Sequence, residues 1–129
     1  MEYRGFSAQR LASYVDHTVL APTATDQDIV AGAAVALELG VAAFCVRPMD
    51  VIQARDLLAG SGVRLATVIG FPHGTNTTAT KSFEAREALE NGAVELDMVM
   101  NQGLFLSRYN EAVVADMRAV VELAHARGA

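Results

Sequence analysis

The sequence predicts an α/β fold in which four strands alternate with helices. Three observations predict it: apolar segments rich in valine and isoleucine, amphipathic segments between them, and helix-ending glycines that precede the strands. Glycines at 40, 62 and 92 are each followed within a few residues by a predicted strand, and Gly128 falls where the repeat predicts a fifth. Because the strand segments are apolar on both faces, a parallel sheet is expected.

The four predicted strands cover residues 14–20, 42–46, 64–71 and 95–101. Thr25 and Asp28 form a capping box that opens the first long helix, which ends at Gly40. Pro48 suits the first turn of the second helix, which ends near residues 60–62. A short extra helix is expected over residues 7–12.

The third helix opens at Thr77 or Thr78 and ends at Asn91 and Gly92. The last helix is predicted to begin near Ser107 or Asn110. Its apolar spacing predicts a buried stripe that consists of Val113, Met117, Val120, Val121 and Ala124. These elements form one (βα)₄ domain over residues 1–129, with no internal linker. Two folds accommodate it: half of a TIM (β/α)₈ barrel with a short N-terminal helix, or a small doubly wound sheet.

Composition excludes several classes of function. The chain has 129 residues, of which 52% are apolar and 19% charged, so it can bury a core. Its net charge of −5 argues against nucleic acid or an anionic membrane as partner. No apolar run reaches the ~18 residues of a membrane span, and no secretion signal is expected. The single cysteine, Cys45, cannot form an internal disulfide, so a cytoplasmic protein is expected.

Asp97 is the most informative candidate site residue, because it interrupts the apolar strand segment 96–100. Burial there raises the pKa of a carboxyl group towards the range used in proton transfer. A buried structural carboxylate remains an equal alternative. Asp16 lies on the same strand face as Thr18, and it shares a pocket with Asp97 if the two strands belong to one barrel. For Asp16 by itself, a structural role weighs somewhat more than a catalytic one.

The remaining candidates favour ordinary roles. His17 and His73 could join Asp16 as metal ligands, but their spacing matches no zinc pattern, so no metal is expected. Cys45 suits a small core residue better than a nucleophile. Lys81, the only lysine, is expected to be a solvated helical residue beside Glu84 and a poor amine nucleophile. No Gly-rich nucleotide-binding loop is present, so no cofactor is predicted.

Four segments in register resemble the deoxyribose-phosphate aldolases. They are residues 15–22 (VDHTVLAP), 44–48 (FCVRP), 67–78 (TVIGFPHGTNTT) and 95–101 (ELDMVMN). The resemblance implies a class I aldolase on a (β/α)₈ barrel that needs no cofactor or metal. Such an enzyme interconverts 2-deoxy-D-ribose 5-phosphate with acetaldehyde and D-glyceraldehyde 3-phosphate through a lysine Schiff base.

Residue by residue, the resemblance makes Asp97 the proton donor and acceptor and Asp16 a pocket aspartate that holds the lysine network. Thr18 and Cys45 match pocket-lining positions. The family's Schiff-base lysine lies on strand six and its partner lysine on strand seven, and Lys81 matches neither. We therefore expect the chain alone to be inactive. The alternative is a non-catalytic, flavodoxin-like (βα)₄ module that binds a small phosphate or another protein.

Half a barrel also implies a partner. It leaves an unpaired strand edge on each side and an inner face without an opposite wall. The expected partner is a second copy of the chain or a complementary C-terminal half, and the substrate of the complete enzyme is a small phosphorylated sugar.

Overall fold

A computed structural model describes residues 2–3 and 5–129 of the chain, and the side chains of residues 5–129. The strands are β1 (Glu2–Tyr3), β2 (Phe6–Ser7), β3 (Asp16–Val19), β4 (Ala43–Val46), β5 (Arg64–Ile69) and β6 (Glu95–Met98). The helices are α1 (Ala8–Ala12), α2 (Asp26–Leu39), α3 (Val51–Leu58), α4 (Thr78–Asn91), α5 (Gln102–Leu106) and α6 (Asn110–Ala126). A 3₁₀ turn, Pro48–Asp50, leads into α3.

Local signals place most of these elements. Thr25 and Asp28 form the predicted capping box of α2, and hydrogen bonds from Thr25 lower the pKa of Asp28. Gly40 closes α2 in the left-handed conformation, and Gly92 does the same for α4. The strands are shorter than predicted: β3 and β4 begin later, and β5 and β6 end earlier, where the chain turns away from the sheet. Gly70, with φ of +67°, already lies outside β5. The β1–β2 hairpin and α5 were not predicted.

The main sheet is parallel, with the sequential order β3–β4–β5–β6. All the long helices pack against one face of this sheet, where they form the apolar core with Phe44, Val46 and Ile69. Sequential strands with helices on a single face are the arrangement of successive units in a (β/α)₈ barrel, whereas a doubly wound sheet carries helices on both faces. The predicted half-barrel is therefore the observed fold.

The predicted buried stripe of α6 is partly wrong. Val113 and Val120 are buried as expected, but Met117 and Val121 are about 40% exposed. Asp116 takes their place on the buried face. The helix turns an aspartate inward because α4 offers that aspartate hydrogen-bond donors. None of the helices in the described part of the chain is both long and apolar enough to cross a membrane.

Candidate active site on the concave face

The face of the sheet that carries no helices is concave and polar at its margins. On each of the four strands, every second side chain points to this face. Its floor consists of small or short apolar side chains: Ala43, Cys45, Ala66 and Val68. A cavity of about 220 Å³ lies above this floor and is lined by Asp16, Thr18, Leu20, Cys45, Ala66, Glu95, Leu96 and Asp97.

The four residues predicted for the site therefore converge. Asp16 and Thr18 reach the cavity from β3, Cys45 from β4 and Asp97 from β6. Local strand parity explains this convergence, since residues two apart on one strand share a face. The structure confirms that Asp16 and Asp97 face one pocket, as the sequence predicted for a barrel.

The predicted burial of Asp97 is wrong for this structure. Asp97 is exposed, and so is Asp16. The apolar neighbours of Asp97 in sequence do not cover it, because Leu96 and Met98 point to the opposite face and pack against the helix-covered core. Over residues 5–129 no segment covers the concave face at Asp97, so the carboxylate remains in contact with solvent.

Glu95 is a cavity residue that sequence reasoning did not single out. It lies two residues before Asp97 on β6, and this alternation was the signal that could have identified it. Its Oε2 atom lies 3.2 Å from Nη2 of Arg64 on the neighbouring strand. The cavity thus carries three carboxylates and this one nearby guanidinium.

Burial and the surrounding negative charge together raise the pKa of the Cys45 thiol. Burial is the first cause and the surrounding carboxylates the second, and together they raise the pKa of the Cys45 thiol to about 11. The thiol therefore stays protonated near neutral pH and is a poor nucleophile. Cys45 lines the pocket as expected.

His17 and Arg47 do not join the cavity. His17 points to the helix-covered face, where its ring stacks on Phe44 with 5.9 Å between centroids. Arg47 pairs with the buried Asp50, its Nε lying 2.6 Å from Oδ2, and these hydrogen bonds raise the pKa of the guanidinium. Arg47 also donates to the Ala21 and Pro22 carbonyls, so it connects the loops that follow β3 and β4.

Lys81 contradicts its predicted environment. The expectation was a solvated lysine beside Glu84, but the side chain is fully buried. Its Nζ donates to Oδ2 of Asp116 at 2.7 Å and to the Val99 carbonyl at 3.0 Å. Thr78 donates to the other Asp116 oxygen at 2.8 Å. The chain's only lysine is thus committed to a buried ion pair behind the sheet, and the concave face carries no lysine amine.

The strand order and the placement of the helices define an α/β protein with the architecture of half a (β/α)₈ barrel. The family model described as DeoC/LacD family aldolase matches residues 10–128. The chain belongs to this aldolase family.

Two curated relatives are both named deoxyribose-phosphate aldolase. The protein from Geobacillus sp. (strain WCH70) is 46% identical over 114 residues, which are 88% of this chain and 51% of the relative. The protein from Thermococcus kodakarensis is also 46% identical, over 94% of this chain and 55% of the relative. The chain therefore spans about half the length of the curated relatives it matches.

Solved structures show the same half-length relation. A Coccidioides immitis structure assigned to the deoxyribose-phosphate aldolases superimposes with a TM-score of 0.90 at 41% identity, over 95% of this chain and 49% of that one. The tetrameric deoxyribose phosphate aldolase of Aeropyrum pernix gives 0.86 at 36% identity, over 95% and 51%.

Proposed function

We propose that this chain is the amino-terminal half of a deoxyribose-phosphate aldolase. The reaction would interconvert 2-deoxy-D-ribose 5-phosphate with acetaldehyde and D-glyceraldehyde 3-phosphate. The observation that supports it most is the convergence of Asp16, Thr18, Cys45 and Asp97 on one concave cavity. A cytoplasmic location goes with this proposal, since Cys45 is the only cysteine.

In this proposal Asp97 donates and accepts the proton that moves during carbon–carbon cleavage, and Asp16 positions the reacting groups. Thr18 and Cys45 line the substrate pocket. Cleavage through a Schiff base also requires an unprotonated amine in the cavity. Lys81 cannot supply it, because its Nζ lies in a buried ion pair on the other side of the sheet. The isolated chain is therefore expected to be inactive.

Borohydride trapping tests the inactivity. The chain is incubated with acetaldehyde and borohydride, and the mass of the intact protein is measured, with the Geobacillus aldolase as positive control. We expect no site-specific adduct and no cleavage of 2-deoxyribose 5-phosphate. A reduced adduct at Lys81 accompanied by turnover would contradict the proposal.

The partner is proposed from the unpaired parts of the half-barrel. In the described chain, β3 and β6 each pair with one neighbour only. Beside β6, α6 exposes the apolar side chains Val114, Met117 and Val121. Beside β3, an open groove of about 730 Å³ runs along α2. Apolar surface and free strand edges together favour association. A chain that stays monomeric at micromolar concentration in analytical ultracentrifugation would contradict this.

Charge favours a complementary half over a second copy. Closing the barrel with a second copy would add three more carboxylates to an interior that holds three already. A partner face that carries amines would neutralise them instead. We therefore propose a complementary C-terminal half as the main partner, with a homo-oligomer of the chain as the weaker association.

Complementation tests the whole proposal. The chain is mixed with the part of the Geobacillus relative that it does not match, and cleavage of 2-deoxyribose 5-phosphate is measured. We expect activity from the mixture, none from either part, and a loss of at least about 100-fold with Asp97→Asn. A stable complex that shows neither turnover nor a trapped imine would favour the non-catalytic binding module.

A further inference from the structure

Two side chains of α4 satisfy the backbone at the point where β5 and β6 stop pairing. The Val99 N–H donates to the Ile69 carbonyl at 2.9 Å. Just beyond, the Gly70 N–H donates to Oε2 of Glu84 at 2.7 Å, and Nζ of Lys81 donates to the Val99 carbonyl at 3.0 Å. The helix thus supplies one acceptor and one donor, three residues apart, to two backbone groups at the end of the sheet.

The lysine that makes this contact has little freedom to move. It is fully buried, and Asp116 holds the same Nζ from α6. A Cβ at Gly70 would lie 2.9 Å from Cε of Lys81, so the loop after β5 packs directly on the lysine stem. An ammonium held by two acceptors in a close-packed environment is a fixed attachment point for the Val99 carbonyl.

The Val99 carbonyl bears directly on the candidate site because Asp97 lies two residues earlier. Leu96 and Met98 face the helices, and Asp97 faces the cavity beside Cys45. A strand whose end shifts by one residue turns each of its side chains to the other face. The hydrogen bond from Lys81 to the Val99 carbonyl therefore helps to determine which face of the sheet the Asp97 carboxylate occupies.

We propose that Lys81 is a positioning residue for the candidate site: by holding the Val99 carbonyl, it keeps Asp97 on the concave face next to Cys45. The inference rests on the proposed role of Asp97. Its test, however, measures the charge beside Cys45 in the 129-residue chain and needs no aldolase activity. A failed complementation and a failed positioning test are therefore separate results.

The experiment compares two matched variants. Asp116→Asn removes the counter-charge of the buried Lys81 but leaves its amine able to donate to Val99. Lys81→Met combined with Asp116→Asn removes that donor as well, without leaving an unpaired buried charge. Circular dichroism and amide NMR spectra identify the folded variants, and the difference between the two reports the removal of the Lys81 amine together with its contact to Val99.

Cys45 is the reporter, since it is the only thiol. It is alkylated with iodoacetamide and, separately, with iodoacetate. The rate constant for iodoacetamide is then divided by the rate constant for iodoacetate. The reagents have similar size, but only iodoacetate carries a negative charge, so the ratio cancels thiolate fraction and access and reports the nearby carboxylates. Asp97→Asn and the urea-unfolded chain give the calibration values.

We expect Asp97→Asn to lower the ratio about two- to fivefold, the effect of removing one exposed charge beside the thiol. The ratio for the double variant should be lower than the ratio for Asp116→Asn and should approach the Asp97→Asn value. Adding Asp97→Asn to the double variant should not lower the ratio further. Equal ratios for the double variant and Asp116→Asn would overturn the proposal. A wild-type ratio equal to that of Asp97→Asn would also overturn it, because Asp97 would then not face Cys45.

Discussion

The two faces of the β3–β6 sheet differ although the same strands form both. On the helix-covered face, Phe44, Val46 and Ile69 are completely buried against residues of four helices. On the concave face, the floor is made of small side chains and the rim carries the exposed carboxylates of Asp16 and Asp97. The comparison indicates that the helix-covered face holds most of the apolar packing, whereas the concave face carries the polar groups of the candidate site. Substitutions on the two faces should therefore have different costs.

The largest effect is expected on the helix-covered side at Lys81. Lys81→Met leaves the Asp116 carboxylate buried and unpaired, which should lower the free energy of unfolding by about 3–5 kcal/mol in urea denaturation. Lys81→Met with Asp116→Leu removes both charges and should recover most of the loss. A loss below about 1 kcal/mol for the single variant would show that the pair is solvated.

A direct comparison of faces uses neighbours on β5. Ile69 is fully buried among the helices, whereas Val68 packs on the concave face with Ala43, Cys45 and Ala66. Ile69→Ala should cost about 2–5 kcal/mol of unfolding free energy by urea denaturation. Val68→Ala should cost clearly less because its neighbours are small. Equal losses at the two positions would remove the distinction between the faces.

The raised pKa of Cys45 predicts a pH dependence of stability. A thiol that titrates near 9.0 when unfolded and at about 11 when folded holds its proton more tightly in the native state. Its stabilising contribution is therefore complete below pH 9 and is lost as the pH rises from 9 to 11, by at most about 3 kcal/mol. In urea denaturation across this range, Cys45→Ala should show a shallower decline. Parallel declines for the two proteins would contradict the shift.

The smallest effect on stability is expected at Asp97. Asp97 is exposed, so Asp97→Asn should change the free energy of unfolding by no more than about 0.5 kcal/mol in urea denaturation. The same change should lower the pKa of Cys45, because it removes one of the charges that raise it. The pH dependence of the iodoacetamide reaction measures that pKa. A large loss of stability would instead make Asp97 a structural carboxylate.

The sequence predicted those parts of the molecule that local rules control. The Thr25–Asp28 capping box and the left-handed glycines at 40 and 92 depend on contacts within one turn, so their residues suffice to place them. The convergence of Asp16, Thr18, Cys45 and Asp97 follows from strand parity once the strands share a parallel sheet. The family's four motifs add the order of those strands.

The burial and the charge partners of a side chain could not be predicted from its own segment, because distant residues determine them. Lys81 resembles a surface lysine until Asp116, 35 residues later, and the Val99 carbonyl surround it. Asp97 resembles a buried group until the sheet leaves its concave face open. The local sequence determines the backbone conformation and the face of the strand on which each side chain lies, because hydrogen bonds within a turn or a strand decide both. Burial and the pairing of charges belong to the tertiary structure, because they depend on which distant segments pack against a face.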